Sequence, residues 1–136
     1  MKVLIMGLPG SGKTYLAKRM QPLLEAAWYN ADIVREMAND WDFSPEGRIR
    51  QSLRMKNLAD YEKKCGRIVI CDFVCPTKET KDNFGPDITV WMNTIESGRY
   101  EDTNKMFEEP LDVDFRIIEM NDDNHKILAR EILKSV

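Results

Sequence analysis

Residues 7–14 read Gly7-Leu8-Pro9-Gly10-Ser11-Gly12-Lys13-Thr14, and this stretch decides how the rest of the chain is interpreted. It matches the Walker A pattern GxxxxGK[ST] in full. The glycines let the backbone fold into a nest of N–H groups that point at phosphate oxygens, and the following helix adds its positive N-terminal end. In such a loop we expect Lys13 to bridge the outer phosphates of ATP and the Thr14 hydroxyl to ligate Mg²⁺. The predicted ATP site comprises Gly7, Pro9, Gly10, Ser11, Gly12, Lys13 and Thr14, with Lys13 as a catalytic residue.

The sequence on either side of this loop provides the context that the pattern requires. The apolar run from Lys2 to Met6 ends directly before the loop and predicts a buried parallel strand. After the loop, apolar spacing predicts a helix whose inner face carries Leu16, Met20, Leu23 and Leu24. A glycine-containing turn with a coincidental Lys-Thr pair would need neither neighbour, so we favour the phosphate-binding interpretation.

The rest of the chain alternates short apolar runs with helical patterns. Further strands are expected at residues 28–30, 67–74, 88–92 and 114–119, and further helices at 31–39, 45–64, 76–85 and beyond Asn121. Ser44-Pro45 is a helix-start signal for the longest of these helices. This alternation predicts an α/β fold of the P-loop kinase type, a three-layer sandwich around a parallel sheet of about five strands. We expect residues 1–136 to form one domain, with the polar, aperiodic segment 96–110 as a mobile lid.

Composition narrows the range of partners and compartments. The chain has 136 residues, of which 43% are apolar and 32% charged, as in ordinary globular proteins. Its formal net charge of -3 disfavours nucleic acid as a partner. No apolar run approaches the ~20 residues that span a bilayer, and we expect residues 2–6 to be a strand rather than a signal peptide. The odd number of cysteines, Cys65, Cys71 and Cys75, disfavours a disulfide framework and favours the cytoplasm. A homodimer is compatible with all of these features.

Several segments after the loop resemble motifs of the adenylylsulfate kinases in order and spacing. Asn30-Ala31-Asp32-Ile33-Val34-Arg35 resembles the family's Asp-Gly-Asp-x-Val-Arg motif, and Asp42-Phe43-Ser44 resembles its Gly-Phe-Ser turn. Arg48, Gln51 and Arg54 lie where the family has an Arg-x-x-Asn-x-x-Arg helix. The run from Ile68 to Pro76 is similar to the family's Ile-Val-Ile-Cys-Ser-Phe-Ile-Ser-Pro strand and turn. The resemblance covers residues 3–92, and beyond residue 95 only Phe107 and Pro110 echo the family's lid.

This resemblance implies a reaction and a set of acceptor-binding residues. Adenylylsulfate kinases transfer the γ-phosphate of ATP to the 3′-hydroxyl of adenosine 5′-phosphosulfate (APS), which would make the partners ATP and this small anionic acceptor. By resemblance, Asp32 would orient or deprotonate the acceptor hydroxyl, and Arg35 and Arg48 would hold the phosphosulfate through their planar forks. Phe43 and Phe107 are candidates for stacking on the acceptor ring. The implied acceptor-binding residues are Asp32, Arg35, Phe43, Arg48, Gln51, Cys75 and Phe107.

Some positions differ from the family pattern on the acceptor side. The first Asp of the family motif is Asn30 here, the helix Asn is Gln51, and the Ser before Pro is Cys75. Asp72 ends an apolar strand in the form of a Walker B element, where an Asp can hold magnesium or its water. We therefore expect Asp72 to be a catalytic residue and a ligand of Mg²⁺ together with Thr14. The alternative is that Asp72 only caps the end of its strand.

Two other functions are compatible with the sequence. A P-loop kinase for another nucleotide, or for a polynucleotide 5′-hydroxyl, could use the same Asn30-x-Asp32-x-x-Arg35 pattern, although the acidic net charge disfavours a polynucleotide. A nucleotide-binding module without catalysis would account for the substituted acceptor residues. Such a module would not need a carboxylate beside the γ-phosphate.

Overall fold

A parallel sheet of five strands lies at the centre of the computed structural model, which describes residues 1–136. The strands are β1 (Lys2–Met6), β2 (Ala27–Asn30), β3 (Val69–Asp72), β4 (Ile88–Met92) and β5 (Phe115–Ile117). The helices are α1 (Lys13–Leu24), α2 (Ala31–Ala38), α3 (Pro45–Lys64), α4 (Lys78–Phe84), α5 (Glu101–Met106) and α6 (Asn124–Leu133). The sheet order is β2-β3-β1-β4-β5, and every neighbouring pair is parallel. The predicted α/β class and strand number are confirmed, and no helix combines the length and apolar character that crossing a bilayer requires.

The alternation of side chains along β1 divides the core between the two faces of the sheet. Val3 and Ile5 pack on one face with residues of α1 and α6. Leu4 and Met6 pack on the other face with residues of α2, α3 and α4. Successive residues of a strand point to opposite faces, and every residue of β1 is buried. Helices therefore cover both faces, which gives the expected three-layer sandwich.

The strand order creates a crevice at the carboxyl edge of the sheet. β1 lies between β3 and β4, so the chain first leaves β1 toward one side of the sheet and later returns on the other side. Open parallel sheets bind ligands at such a switch point, outside the carboxyl ends of the strands. The Walker A segment leaves β1 at this point. Asn30 and Asp72, which end β2 and β3, lie opposite each other in the parallel register.

Some predicted details are wrong at the level of single residues. Leu23 does not belong to the inner face of α1, because it is 46% exposed, and Ala17 is buried on that face instead. The segment 96–110 is not a continuous loop, because α5 forms within it. A helix of six residues completes fewer than two turns, so its sequence shows too little periodicity to be recognised.

The beginning of α3 follows its sequence signal. The Ser44 hydroxyl accepts a hydrogen bond from the N–H of Gly47 at 3.1 Å, and Pro45 takes the first helical position. The cap fixes where the helix begins and so where the preceding loop enters it. Asn121, predicted to cap α6, lies two residues before its N-cap, Asp123. Its side-chain oxygen accepts from the N–H groups of Asp123 and Asn124 at 2.9 Å and so orders the turn that leads into the helix.

We predict that Ser44→Ala lowers the free energy of unfolding by about 1 kcal/mol, because the N–H of Gly47 loses its partner. Urea denaturation of the variant and the wild type measures the difference. Ser135→Ala is the matched control, since Ser135 is exposed near the C terminus. Equal midpoints for Ser44→Ala and the control would contradict the role of the cap.

Candidate active site

The loop between β1 and α1 has backbone positions that favour glycine over any other residue. Gly12, directly before α1, has a left-handed φ of 98°. Gly7 has a φ of 151°, and a Cβ atom there would lie 2.7 Å from the carbonyl oxygen of Met92. The N–H of Ser11 donates to the Leu8 carbonyl at 3.1 Å, which closes the turn. The loop therefore passes so close to the end of β4 that only glycine fits at position 7.

The ammonium group of Lys13 folds back over this loop. Its Nζ donates to the carbonyl oxygen of Leu8 at 3.1 Å. Burial lowers the pKa of Lys13 to about 8, against the opposing effect of the Asp72 and Asp32 carboxylates. A phosphate that binds beside a desolvated ammonium supplies the negative charge that favours its protonated form. The geometry and the charge of Lys13 therefore suit an anion held by the loop.

The carboxylate of Asp72 is buried at the end of β3 and accepts hydrogen bonds from three side chains. Trp28 Nε1 donates to Oδ2 at 2.5 Å, Asn30 Nδ2 donates to Oδ1 at 3.0 Å, and the Thr14 hydroxyl donates to Oδ1 at 3.2 Å. Burial raises the pKa of Asp72 to about 6, although these donors and Lys13 act in the opposite direction. The predicted pair Thr14 and Asp72 is thus brought together.

The oxygens of this pair fit a hard cation that also binds phosphate. Thr14 Oγ1 and Asp72 Oδ1 lie 3.2 Å apart, and magnesium takes oxygen ligands from one or two side chains together with substrate phosphates. No group of three or more His, Cys, Asp or Glu side chains could hold a metal ion by itself. A cation at this position would therefore depend on the phosphates of a nucleotide on the loop.

Asn30 links the carboxylate of Asp72 to the start of α2. Its Oδ1 atom accepts from the N–H of Ile33 at 3.1 Å and so caps the helix. Because its oxygen is engaged there, its amide nitrogen faces Thr14 Oγ1 and Asp72 Oδ1, at 3.1 and 3.0 Å. The cap also sets the position of Asp32, the second residue of α2, which is exposed.

One cavity of about 1130 Å³ lies outside the carboxyl ends of the strands. Its wall includes the loop residues Gly10, Gly12, Lys13 and Thr14, the acidic residues Asp32 and Asp72, the side chains Trp41, Phe43 and Arg48, and, from segment 96–110, Arg99, Tyr100, Asp102, Thr103 and Met106. This volume exceeds the ~300–1,000 Å³ of a typical site for one small ligand. The cavity therefore has room for a nucleotide and a second molecule.

Three of the predicted acceptor-binding residues line this cavity, namely Asp32, Phe43 and Arg48. The guanidinium of Arg48 lies 5.4 Å from the centre of the half-exposed Phe43 ring. Its Nε donates to the Phe43 carbonyl at 3.1 Å, and another of its nitrogens donates to the Thr103 hydroxyl at 2.6 Å. Burial lowers the pKa of Arg48, and the nearby carboxylate of Asp102 opposes this effect. Arg48 therefore joins α3, the Phe43 loop and α5.

Arg35 and Gln51 do not line the cavity, although the family motif makes them acceptor-binding candidates. The Arg35 guanidinium is buried, donates to the carbonyls of Asp40 and Asp42 at 2.9 and 3.1 Å, and lies 4.3 Å from the Phe43 ring centre. Burial is the main cause that lowers its pKa. The Gln51 amide donates to the Ala31 carbonyl at 3.1 Å. In this structure Arg35 holds the loop that contains Asp40 and Asp42, and Gln51 holds the start of α2.

Cys75 and Phe107 also lie outside the cavity wall. Cys75 is buried, its Sγ lies 3.7 Å from the Thr80 hydroxyl, and burial raises its pKa to about 12. Phe107 packs against the buried cluster on the face of the sheet covered by α3. Neither side chain lines the cavity in this structure.

Sequence reasoning missed Trp28 and Thr103. Trp28 precedes Asn30 by two residues on β2, and residues two apart on a strand share a face. This spacing could have placed the indole beside Asp72. Thr103 carries no comparable signal, because α5 itself was not recognised and its contact with Arg48 joins residues far apart in the chain.

Comparison with known proteins adds to this geometry. A family model described as Adenylylsulphate kinase matches residues 1–96. The chain belongs to the adenylylsulfate kinase family. In sequence it is similar to a probable adenylyl-sulfate kinase of Aeropyrum pernix, with 35% identity over 89 residues, covering 59% of this chain and 47% of that protein. The chain spans about half the length of the relatives it matches in sequence.

Solved structures show the same fold. The crystal structure of APE1195 has a TM-score of 0.85 and 24% identity, covering 100% of this chain and 96% of that chain. The APS kinase CysC of Mycobacterium tuberculosis, in complex with AMPPNP and APS, has a TM-score of 0.72 and 21% identity, covering 98% of this chain and 95% of that chain. These likenesses confirm the P-loop kinase architecture.

Two departures from the adenylylsulfate kinase pattern meet at one place. Asn30 stands where the family motif has its first Asp, and Asp72 stands where the family strand has Ser. The two residues are paired in register, and their side chains are hydrogen-bonded at 3.0 Å. Relative to the family pattern, the carboxylate is therefore carried by the neighbouring strand, whose backbone lies about 4.8 Å away.

The raised pKa of Asp72 predicts a pH dependence of the metal-free, nucleotide-free protein. Its folded-state value of about 6 exceeds the ordinary value of 3.8, so the native state holds this proton more tightly. The free energy of unfolding should therefore fall as pH rises from about 4 to about 6, by on the order of 2–3 kcal/mol, and then level off. Urea denaturation of the wild type and of Asp72→Asn at several pH values in this range isolates the contribution of the Asp72 carboxyl group to the free energy of unfolding. If the free energies of unfolding of the wild type and the variant differed by the same amount at pH 4 and at pH 7, this predicted pH dependence would be contradicted.

Proposed function

We propose that this chain is an ATP-dependent phosphotransferase that uses Mg²⁺ and transfers the γ-phosphate of ATP to the 3′-hydroxyl of adenosine 5′-phosphosulfate. The observation that carries the proposal is that one cavity joins the Walker A residues Lys13 and Thr14 to the acceptor-side residues Asp32 and Arg48. Phosphoryl transfer depends mainly on positioning and on charge stabilisation, and a shared cavity is what brings the donor and the acceptor together.

The nucleotide side of the cavity would bind the phosphates of ATP. The backbone N–H groups of the loop and the ammonium of Lys13 hold the phosphate oxygens, and Lys13 stabilises the charge that develops on the transferred group. Thr14 and Asp72 would hold Mg²⁺ or its coordinated water, and the cation neutralises phosphate charge when bound. A half-buried Lys13 beside the Asp72 carboxylate supports this division of roles.

The acceptor side would bind the second nucleotide. Asp32 is exposed at the start of α2 and lines the cavity, so it can accept the proton of an acceptor hydroxyl or orient that hydroxyl. Phe43 offers a half-exposed ring on which an adenine can stack, and Arg48 offers its remaining N–H groups to an anion. Arg35 supports Phe43 from behind. The M. tuberculosis relative, solved with APS, favours APS as the acceptor.

A second candidate is a kinase for another small hydroxyl compound that carries less negative charge. Arg35 already donates to two backbone carbonyls, and Arg48 donates to Phe43 and Thr103. Asp102, on the cavity wall, adds a carboxylate near Arg48. Because both arginines already donate hydrogen bonds within the chain and a carboxylate lies near Arg48, the acceptor site attracts anions less strongly than its sequence motif alone implies.

The test is ATP turnover with a panel of acceptors that includes APS, adenosine 5′-phosphate, adenosine and small sugars, followed by identification of the phosphorylated product. We expect APS to be phosphorylated on its ribose. Asp32→Asn should lower kcat at least tenfold and leave ADP binding near the wild-type value, because Asp32 faces the acceptor. Asp82→Asn on α4 is the matched control, since Asp82 is exposed and outside the cavity. Absence of turnover with every acceptor would favour a nucleotide-binding module.

Arg48 provides a separate test of the acceptor side. Arg48→Lys should raise the KM for APS with a loss of about 1–3 kcal/mol in kcat/KM, because lysine keeps the charge and lacks the planar fork. Initial rates at varied APS and fixed ATP measure this change. Arg67→Lys is the matched control, because Arg67 precedes β3 at the opposite edge of the sheet. An unchanged KM and kcat in Arg48→Lys would remove Arg48 from acceptor binding.

One domain over residues 1–136, a homodimer and a cytoplasmic location stay predictions from the sequence. We infer that one chain can bind both the nucleotide and the acceptor, because Lys13, Thr14, Asp32 and Arg48 line a single cavity. Elution volume and turnover measured across a range of protein concentrations test this inference. An activity per chain that falls on dilution below the dimer range would contradict it.

A further inference from the structure

Trp28 makes the shortest hydrogen bond to the buried carboxylate of the site. Its indole Nε1 donates to Oδ2 of Asp72 at 2.5 Å, whereas Asn30 and Thr14 donate to the other oxygen, Oδ1. Trp28 and Asn30 are two residues apart on β2 and so project from the same face. β2 pairs in register with β3, which ends at Asp72. The two residues of β2 therefore hold the carboxylate by both of its oxygens.

The chemistry of the indole limits what this contact can do. An indole N–H donates and does not accept, so Trp28 cannot ligate a metal ion or exchange a proton with a substrate. The ring packs against the buried cluster that α1 and α6 form on the sheet, which fixes the position of the donor. The hydrogen bond engages Oδ2 and leaves Oδ1 on the side of Thr14, within the Walker A segment.

Asn30 contacts the same pair of oxygens that a divalent cation would take. Its amide nitrogen lies 3.0 Å from Asp72 Oδ1 and 3.1 Å from Thr14 Oγ1. A cation that binds these two oxygens replaces the hydrogen bonds of Asn30 to them. The hydrogen bond from Trp28 is not in competition with the cation, because it is made to the other carboxylate oxygen.

We propose that Trp28 is a positioning residue for Mg²⁺ binding: its indole N–H holds Oδ2 of Asp72 so that Oδ1, beside Thr14, faces the cation or its coordinated water. The inference rests on the proposed function, since it requires a Mg²⁺–nucleotide complex on the Walker A loop. Without the indole N–H, the carboxylate loses a hydrogen bond to its charged form and the contact that orients it. The affinity of the site for Mg²⁺ then falls, while the loop still binds the phosphates of the nucleotide.

The test is the stabilisation of the protein by ADP with and without Mg²⁺, measured by thermal unfolding in the absence of turnover. ADP is added to saturation in EDTA, and excess Mg²⁺ is then titrated. In Trp28→Phe, which keeps an aromatic ring and lacks the donor, the Mg²⁺ concentration for half-maximal stabilisation should rise roughly tenfold, the scale of one lost hydrogen bond to a charged group. Stabilisation by ADP in EDTA should match the wild type.

Trp91→Phe is the matched control, because it makes the same replacement in β4, where the indole packs beneath the Arg116 guanidinium. Its Mg²⁺ midpoint should equal that of the wild type. A wild-type midpoint in Trp28→Phe would overturn the inference and leave the proposed function intact. A wild-type protein that ADP stabilises equally with and without Mg²⁺ would overturn the inference together with the proposed use of Mg²⁺.

A second measurement uses the wild-type chain and does not require Trp28→Phe to fold. The indole N–H groups of Trp28, Trp41 and Trp91 each give one ¹⁵N–¹H resonance, and single replacements of Trp41 and Trp91 by Phe assign the signal of Trp28 by elimination. Addition of Mg²⁺ to the ADP complex should shift this signal, because the carboxylate then shares its charge with a cation. An unchanged signal at saturating Mg²⁺ would overturn the proposal.

Discussion

The passage of Gly7 beside the Met92 carbonyl is the constraint on which the rest of the site depends. A Cβ at Gly7 would lie 2.7 Å from that oxygen, so the chain can turn out of β1 at this point only because the side chain is absent. The turn starts α1 at Lys13, and α1 then buries Leu16, Ala17 and Met20 against the sheet. Packing of α1 fixes the direction of Thr14, which meets the end of β3. The turn at Gly7 therefore sets the position of α1, and α1 contributes both to the apolar core and to the polar site.

The carboxylate of Asp72 is buried, and this burial determines which groups must surround it. A buried carboxylate needs hydrogen-bond donors, and this one takes them from α1 and β2, which meet β3 at the same edge of the sheet. Relative to the family pattern, Asn30 replaces Asp and Asp72 replaces Ser, so the pair still contains one carboxylate, now in contact with an amide. The local charge is preserved although each position differs from the family motif.

The sequence allowed the elements and the phosphate loop to be predicted because both follow local rules. Short apolar runs predicted β1, β3 and β4, and Ser44-Pro45 predicted the start of α3. The adjacency of Thr14 and Asp72 also followed, because parallel strands bring their carboxyl ends to one edge. These features depend on short stretches of chain or on sheet topology alone.

The orientation of long side chains could not be predicted in the same way. The motif identifies Arg35 and Gln51, yet both bind backbone carbonyls. Arg35 binds those of a loop and Gln51 binds one at the start of α2, and tertiary packing sets where these carbonyls lie. Leu23 shows the same limitation on α1, since helical spacing admits it to the inner face and the folded structure leaves it half-exposed. The hydrogen bonds that a guanidinium or an amide side chain makes depend on where backbone carbonyls lie in the folded chain, and no local sequence pattern predicts those positions.

The hydrogen bond between Arg48 and Thr103 has a consequence for binding entropy. It joins two buried groups at 2.6 Å and fastens α5 to α3 through a contact within the chain itself. A wall that is already in place loses less conformational freedom when a ligand arrives than a segment that must first become ordered, so more of the contact energy appears as affinity. In kinetic terms, a ligand that leaves a preorganised wall of this kind has only to break its contacts inside the cavity. The rate of that step, rather than the opening and closing of a segment, then sets the residence time of the ligand.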